Sequence, residues 1–394
     1  MSRAMRIAIV NLTGGGLSGG YRTYLRELVP RLARHPEVAE LSVALPPESG
    51  FTAQSLGTRC ASWPKGARVV SWVRDFVRDH DADVVFIPTA RWCDTGRPAA
   101  VMVRNMEPLL RPWEGNSIRD GLRNVLRRGA AREACRRAER VIAVSDFVRR
   151  FLTTRWGIAE ERIGVVRHGV APAPDSATLR RPDALASGTE SFLFTAGSIR
   201  PARGLDDLIG AMAELTDRPS LQLVVAGHVD PGAEGYGRRL RHGAETVGVA
   251  ARITWAGMLS TSEMSWCFTH ADCFVMTSRV EACPNTALEA MAHGALSVAT
   301  TLPPMPEFFA ECATYYSAGN SHALALAIRA ALAMPSTERE RWRIAARRRA
   351  GCFGWDATAD RTVRELRRTL GAGVAEEADT VQPSAGPPAS QLTN

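Results

Sequence analysis

The sequence predicts an α/β protein made of two doubly wound domains that face each other across a cleft. Short apolar runs alternate with amphipathic segments of helical period, which is the pattern of parallel strands covered by helices on both faces. The series of strand, glycine-bearing turn and helix starts near the N-terminus and starts again near residue 191. Between the two halves, residues 171–190 are rich in Pro, Ala and Ser and have no apolar period, as is typical of a linker.

The first half is predicted to start with a buried strand at Met5–Asn11, followed by a glycine-rich loop at Leu12–Gly20. A helix is predicted at Tyr21–Arg34, where apolar residues recur at helical spacing. The other strands predicted in this half are Leu41–Leu45, Val69–Ser71, Val84–Pro88, Ala100–Arg104, Val141–Val144 and Ile163–Arg167.

The second half is predicted to start with a strand at Ser191–Ala196 and a helix near Leu205–Leu215. The further strands are Leu221–Ala226, Arg252–Ala256, Cys273–Thr277, Leu296–Ala299 and Thr314–Tyr316, and the further helices are 321–334, 337–350 and Trp355–Leu370. The predicted divisions are an N-terminal domain at 1–172, a linker at 173–190, a C-terminal domain at 191–354, a closing helix at 355–370 and a disordered tail at 371–394.

The composition argues against several classes of protein. The 394 residues are 45% hydrophobic and 23% charged, with 33 Gly and 23 Pro, which disfavours disorder, collagen-like repeats and coiled-coil rods. The sequence shows neither an apolar stretch of the roughly 18–20 residues needed to span a bilayer nor a signal-peptide cleavage site, so we expect a cytoplasmic protein. Its eight cysteines are scattered without a C-x-x-C pair, which favours reduced thiols over a zinc site or disulfides.

The basic charge depends on arginine. The net charge is +8 and Lys65 is the only lysine, so a phosphate group would have to be bound by guanidinium groups. Arginines at helical spacing in residues 119–128 alternate with Leu122, Val125 and Leu126. A solvated helix face over an apolar stripe is the favoured interpretation, while a nucleic-acid or anionic membrane surface stays open.

Gly14, Gly16 and Gly19 match G-x-G-x-x-G between a strand and a helix. Such glycines let backbone amides and a helix N-terminus approach a phosphate. A nicotinamide dinucleotide site would also need an acid at the end of the second strand, but there Glu48 comes only after two prolines. A glycine-rich loop for another phosphate or substrate is therefore favoured, with the dinucleotide site left open.

Asp79, Asp81 and Asp83 form a D-x-D-x-D pattern that resembles a metal site. They precede the predicted strand Val84–Pro88 and so lie at its amino end, away from the side where ligands bind. A solvated turn is the better interpretation, and no metal site is predicted.

The loop Gly197–Gly204 joins the first strand of the second half to its helix and carries Arg200 and Arg203. Guanidinium groups at the carboxyl end of a strand can hold a diphosphate through two hydrogen bonds each. A turn with two solvated arginines explains the loop equally well.

Glu281 and Glu289 carry the strongest functional signal. They flank a predicted helix start near Pro284, where free amides and the positive end of the helix dipole favour a phosphate. Glu289 lies three residues after Thr286 and can reach sugar-like hydroxyls from the same helix end. Two carboxylates around such a helix start suit a sugar nucleotide. The alternative is a surface acid with an i, i+3 helix partner.

These motifs resemble those of the retaining glycosyltransferases of family 4, which have the GT-B fold. Glu281 and Glu289 match that family's E-x7-E segment, and Pro306-Glu307 follows it. Gly197–Gly204 is similar to the family's phosphate loop, and Gly19-Gly20 to its N-terminal loop. Val144–Phe147 and Val165–Val170 are similar to its run from the last N-domain strand to the linker, so that the resemblance covers roughly residues 5–370.

The resemblance implies a role for each matching residue. Glu281 would contact the hydroxyls of the donor sugar and act in catalysis with Arg203, which stands where the family usually has Lys. The other donor-binding residues would be Gly16, Ser198, Arg200, Met258, Leu259, Asn285, Thr286 and Glu289, with Glu289 on the ribose and the Asn285 and Thr286 amides on the distal phosphate. Gly19, Asn105 and Glu107 would lie on the acceptor side, and Asn105 stands where many members have His.

The resemblance therefore implies a retaining hexosyl- or N-acetylhexosaminyltransferase that uses a nucleoside-diphosphate sugar and no metal or other cofactor. Its N-terminal domain would bind the acceptor, a small molecule, glycan or lipid, and its C-terminal domain the donor. The helix at 355–370 would cross back to the first domain. The chain would act as a monomer or homodimer without nucleic acid, with weak membrane-surface contact left open.

Two alternatives remain: a GT-B-like sugar-nucleotide epimerase and a basic phosphate- or nucleic-acid-binding module built on the arginine-rich helix. The binding module would give Glu281 and Glu289 no function. The sugar, the base and the acceptor have no readable code in the sequence.

Overall fold

The computed structural model describes residues 3–13, 19–111, 113, 118–186 and 189–371. These residues divide into two compact units. The first unit contains the described residues up to Leu109, together with Val125–Gly169 and the stretch from Phe353 onward; the second contains Leu110–Asn124 and Val170–Cys352. Each unit is built on one parallel sheet, so the predicted pair of doubly wound domains is confirmed.

The first unit has a seven-stranded sheet in the order β3-β2-β1-β4-β5-β6-β7. Its strands are β1 (Met5–Val10), β2 (Val38–Leu45), β3 (Arg59–Ser62), β4 (Val84–Ile87), β5 (Ala99–Val103), β6 (Arg140–Ala143) and β7 (Ile163–Val165). The helices that begin in this part of the chain are α1 (Gly19–Arg34), α2 (Ala53–Leu56), α3 (Val69–Asp79), α4 (Glu107–Leu110), α5 (Ile118–Arg137) and α6 (Asp146–Trp156). The strand order reverses between β1 and β4, and ligands bind at such a reversal outside the carboxyl ends of the strands.

The strand predicted at Val69–Ser71 was wrong, because these residues form the first turn of α3. Val73, Phe76 and Val77 are buried and continue the apolar pattern at helical spacing, which a run of three residues could not reveal. The true edge strand is β3, and it was missed because its half-exposed sequence Arg-Cys-Ala-Ser has no apolar run.

The second unit has a six-stranded sheet in the order β10-β9-β8-β11-β12-β13. Its strands are β8 (Phe192–Ala196), β9 (Gln222–Ala226), β10 (Ile253–Gly257), β11 (Cys273–Met276), β12 (Ser297–Thr300) and β13 (Thr314–Tyr316). The remaining helices along the chain are α7 (Leu205–Glu214), α8 (Glu234–Thr246), α9 (Thr261–His270), α10 (Asn285–Ala292), α11 (Met305–Phe309), α12 (Ser321–Leu332), α13 (Ser336–Gly351) and α14 (Trp355–Thr369). Here the strand order reverses between β8 and β11.

The last helix, α14, belongs to the first unit and packs on α1 and on β4, β5 and β6. Arg367 pairs with Glu37 at 2.7 Å, and Glu365 pairs with Arg140 at 2.6 Å. A Cβ on Gly164 would lie 2.1 Å from the Glu365 carboxyl carbon. A side chain at this position would therefore displace the Glu365 carboxylate, which pairs with Arg140.

The predicted linker at 173–190 packs within the second unit, as far as its described residues show. The amide of Arg180 donates to the Ser262 carbonyl at 3.4 Å, and the Arg181 guanidinium lies 5.5 Å from the Trp266 ring centroid. The predicted disordered tail lies, from residue 372 onward, outside the described residues.

The aspartates of the turn before β4 pair with Arg6. Asp83 accepts hydrogen bonds from the Arg6 amide at 2.8 Å and from its Nη2 at 3.0 Å, and Asp81 also pairs with Arg6. Within the described part of the chain, no three or more His, Cys, Asp and Glu side chains form a group able to hold a metal ion. No helix there is long and apolar enough to cross a bilayer.

Candidate functional site

Arg203 and Glu281 meet at the carboxyl end of the second sheet. Arg203 ends a short 3-10 turn after β8, and Glu281 lies in the loop after β11, the strand that pairs with β8. Nη1 of Arg203 donates to Oε1 of Glu281 at 2.5 Å and to Oγ of Ser278 at 3.1 Å. The exposed fractions of the two charged side chains are 18% and 13%, so the pair is held largely out of water.

Hydrogen bonds to backbone carbonyl groups hold these two loops against each other. Oγ1 of Thr277 donates to the Arg203 carbonyl at 2.7 Å, and the Arg279 amide donates to the Ala202 carbonyl at 2.8 Å. Gly204 has a φ of +60°, and a Cβ there would lie 2.5 Å from the Thr277 carbonyl oxygen. Glycine is thus required where the first loop enters α7.

A pocket with about 260 Å³ of empty space, including solvent at its mouth, opens between these loops. Residues at the ends of β8 and β11 and Arg203 border it. Its lining includes Thr195, Gly197, Arg203, Met276, Thr277 and Ser278. A Cβ on Gly197 would lie 2.8 Å from the Arg203 guanidinium carbon, so this glycine leaves room for the cation.

Buried Asp207 supports the loop after β11 from behind. The residue is 3% exposed. Its carboxylate accepts hydrogen bonds from Nη2 of Arg279 at 3.2 Å, from the Tyr316 hydroxyl at 3.1 Å and from the Gly319 amide at 2.8 Å. This cluster could not be predicted from the sequence, because Asp207 looks like an ordinary acid in the first turn of a helix and its partners are more than 70 residues away.

The helix after the Glu281 loop, α10, begins at Asn285, one residue later than a start at Pro284. Pro284 occupies the N-cap position and makes no side-chain cap hydrogen bond. Asn285 and Thr286 thus form the first turn, as predicted from the sequence, and the positive end of the helix dipole lies beside the Glu281 loop.

Glu289 lies in the second turn of α10 and is half-buried. Its carboxylate makes no hydrogen bond or ion pair with any residue that the structure describes, while its backbone carbonyl accepts from Nδ1 of His293 at 2.8 Å. Desolvation raises the pKa of the Glu289 carboxyl to about 7. A desolvated carboxyl group without a partner costs stability, which is typical of a group kept for a ligand.

The remaining predicted donor residues are spread more widely. Nη1 of Arg200 lies 3.6 Å from Oδ2 of Asp230, a residue that follows β9. Ser198 lies in the turn between β8 and Arg200, while Met258 and Leu259 follow β10, two strands away from β8. Gly16 lies outside the described residues.

The predicted acceptor-side residues belong to the first unit. Gly19 is the exposed first residue of α1. Asn105 is exposed, and its Oδ1 accepts from the amide of Glu107 at 3.1 Å, where α4 begins. Asn105 therefore has a local structural role whatever else it binds.

Two family models match successive parts of the chain. The model of Glycosyltransferase Family 4 matches residues 18–173, and that of Glycosyl transferases group 1 matches residues 178–349. The chain is 24% identical to the D-inositol 3-phosphate glycosyltransferase of Kineococcus radiotolerans, with 94% of this chain and 96% of the relative covered. It is 28% identical to the enzyme of the same name from Mycobacterium bovis over 262 residues, which cover 64% of this chain and about half, 53%, of that relative.

Solved structures of similar fold include the Anabaena protein HepE in complex with UDP-glucose, with a TM-score of 0.72 and 18% identity over 92% of this chain and all of that one. A glycosyltransferase from Rickettsia africae superposes with a TM-score of 0.71 and 15% identity, covering 93% of this chain and all of its own. At these identities the likeness concerns the fold.

Proposed function

The chain belongs to the retaining glycosyltransferases of group 1 and family 4 with the GT-B fold, and on that premise we propose that it moves a sugar from a nucleoside-diphosphate sugar to an acceptor hydroxyl. The observation that carries the proposal is the meeting of Arg203 and Glu281 beside the N-terminus of α10. A cation, a carboxylate and a helix N-terminus at one sheet edge match the phosphates and hydroxyls of such a donor.

The donor binds the second unit in this proposal. The diphosphate accepts from Arg203 and from the first amides of α10, at Asn285 and Thr286. Glu281 and Glu289 accept hydrogen bonds from sugar and ribose hydroxyls respectively. HepE binds UDP-glucose, which supports a nucleotide donor carrying a hexose.

The reaction breaks the bond between the sugar carbon and the diphosphate oxygen, and negative charge grows on that oxygen as the bond breaks. A fixed guanidinium and a helix N-terminus stabilise such a charge more in the transition state than in the ground state. Arg203 is therefore the principal group that lowers the barrier. Glu281 holds the Arg203 side chain in place and orients the sugar.

The acceptor binds the first unit in this proposal, near Gly19, Asn105 and Glu107. The relatives act on D-inositol 3-phosphate by name, which favours a polyhydroxylated small molecule here. The acceptor oxygen bonds to the sugar carbon as the bond to the diphosphate breaks, and the hydroxyl proton passes to the departing diphosphate oxygen, which leaves with the nucleoside diphosphate.

A thermal-shift screen of UDP, GDP, dTDP and ADP sugars tests the donor. One of them should raise the melting temperature, because a ligand present at a hundred times its Kd stabilises the folded state by about 2.7 kcal/mol. Glu289→Gln should weaken that donor, whereas Glu340→Gln, an exposed glutamate on α13, should not.

Donor turnover with candidate acceptors then tests the reaction. We expect free nucleoside diphosphate to appear together with a glycoside that keeps the donor's anomeric configuration. No response to any nucleotide sugar would contradict the proposal. So would a rearranged sugar formed with free nucleoside diphosphate and no acceptor, which would indicate an epimerase.

A further inference from the structure

The first unit contains a cluster of hydrogen-bond donors that were not among the site residues predicted from the sequence. Arg104 follows β5 directly, at the carboxyl edge of the sheet. Its guanidinium lies 3.4 Å from the centroid of the Tyr21 ring, and its Nε donates to the Pro88 carbonyl at 2.9 Å. The cation is thus fixed by an aromatic face on one side and by the end of β4 on the other.

Arg104 is not neutralised by an acid. Among the residues that the structure describes, none of the Asp or Glu side chains pairs with it, and its two terminal nitrogens donate to no protein group. Arg104 is half-buried, and partial desolvation lowers the pKa of its guanidinium. A desolvated charge without a counter-charge is unfavourable, and a bound anion would compensate it.

Two hydroxyl groups near this sheet edge also lack partners. The Tyr24 hydroxyl is buried and makes no hydrogen bond with any described residue, and the same holds for Oγ1 of Thr13. The Tyr24 ring centroid lies 6.2 Å from that of Tyr21, the ring on which Arg104 packs. Thr13 follows β1, and β1, β4 and β5 are neighbours in the sheet.

The Tyr21 hydroxyl, by contrast, is already used. It donates to Oδ1 of Asn11, whose amide nitrogen donates to the Ala44 carbonyl at 2.9 Å. These bonds hold the Tyr21 ring under Arg104. The groups left over are a guanidinium and two hydroxyls, a set that donates hydrogen bonds and has no negative charge.

We propose that Arg104, with the hydroxyls of Tyr24 and Thr13, binds an oxyanion carried by the acceptor, a phosphate monoester or a carboxylate. The assignment to the acceptor rests on the proposed function, because the donor is assigned to the second unit. The two terminal nitrogens of Arg104 offer parallel donors to two oxygens of such a group. An anchored anion would select charged acceptors and place a neighbouring hydroxyl for reaction.

Titration of the whole chain with inorganic phosphate, and separately with acetate, tests the subsite by thermal shift at constant ionic strength set with chloride. We expect a saturable rise in melting temperature with at least one of the two anions, and the stronger one identifies the acceptor group. Arg104→Gln should raise the Kd for that anion at least tenfold. Arg155→Gln, which removes an exposed arginine of α6, should leave its affinity unchanged.

Tyr24→Phe and Thr13→Val keep the test decisive should Arg104→Gln fail to fold. Each removes one hydroxyl group and little volume. Each should raise the Kd for the anion about threefold without lowering the melting temperature of the free protein. A structural role alone would not combine a weaker ligand with unchanged stability.

The donor screen is repeated on the same variants to separate the two proposals. Arg104→Gln should keep the wild-type response to the nucleotide sugar. The subsite is overturned if neither anion stabilises the wild type, if Arg104→Gln keeps the wild-type anion affinity, or if the anion response is lost in Arg203→Gln instead. A missing donor response with an Arg104-dependent anion response would overturn the proposed function and with it the assignment of the anion to an acceptor.

Discussion

Arg203 holds one negative group in the free protein and is proposed to hold a second during the reaction. Its Nη1 is bonded to Glu281 and Ser278, while its Nε is buried and makes no hydrogen bond with any described residue. The guanidinium therefore keeps donor capacity although it is already oriented. A cation fixed in this way needs little reorganisation when charge develops on a leaving group.

Replacing Arg203 by Gln should reduce turnover more than binding. We expect kcat to fall about a hundredfold or more, as when other fixed donors to a developing oxyanion are removed, with a much smaller change in the Kd of the nucleotide sugar. Steady-state kinetics and a direct binding titration measure the two effects. Arg238→Gln, at an exposed position of α8, is the control, and a loss confined to KM would contradict this role.

Glu289 should make donor binding depend on pH near neutrality. Its pKa lies at about 7 because the carboxyl is desolvated, well above the ordinary value of about 4.3. Only the ionised carboxylate accepts hydrogen bonds from both hydroxyls of a diol through both oxygens. We therefore expect the affinity for a nucleotide sugar to rise roughly fivefold to tenfold from pH 6 to pH 8, and Glu289→Gln to abolish this dependence.

The same group has an opposite effect on stability. Between about pH 4.3 and pH 7 the folded protein holds a proton on Glu289 that the unfolded chain has released. The free energy of unfolding, taken relative to Glu289→Gln, should thus fall as the pH rises through this range.

A donor affinity that does not change from pH 6 to pH 8 in the wild type would show that Glu289 does not contact the donor. The nucleotide sugar is the right probe, since its phosphates have no pKa in this range.

At the scale of elements, the junction between β8 and α7 depends on one glycine. Gly204→Ala should combine the strain of a left-handed backbone with a contact of 2.5 Å to the Thr277 carbonyl. Gly257→Ala is a matched control, because Gly257 has a φ of +64° but no atom within 4 Å of its Cβ position. We expect about 1 kcal/mol of destabilisation for Gly257→Ala, and clearly more for Gly204→Ala together with loss of donor binding.

Urea unfolding of both variants measures the difference, and the donor thermal shift shows whether the loop has moved. Equal destabilisation by Gly204→Ala and Gly257→Ala would mean that the loop after β11 moves to accommodate the added methyl group. The close approach of the two loops would then not be what positions Arg203.

The sequence located the site residues by element but not their contacts. Arg203, Glu281 and Glu289 could be placed because each follows or flanks a strand whose apolar run is easy to recognise. The Arg203–Glu281 pair could not be predicted, since it depends on β8 lying next to β11 across 78 residues of chain. Asp207 and Arg104 escaped for the same reason: their environment comes from distant elements, and neither has a local pattern.

At the scale of the whole molecule, the chain enters the second unit and returns to the first at Phe353. Helix α14 completes the first unit, with Val363 and Leu366 fully buried against it. Glu365 and Arg140 form an ion pair whose side chains are 8% and 11% exposed. The first sheet therefore depends on residues that come about 190 positions after its last strand, β7.

Shortening Leu366 tests this dependence in the full chain. Leu366→Ala should lower the free energy of unfolding of the first unit by about 2–5 kcal/mol, because a fully buried leucine leaves a cavity. Leu326→Ala on α12 is the control: that leucine is 51% exposed, so the change should cost less than about 0.5 kcal/mol.

Hydrogen exchange shows which unit loses stability. Faster exchange is expected in β4, β5 and β6 but not in β8, β9 and β11. The donor-induced thermal shift should survive in Leu366→Ala, because donor binding is assigned to the second unit. Faster exchange in β8 or β11, or loss of the donor response, would show instead that α14 supports the donor-binding sheet.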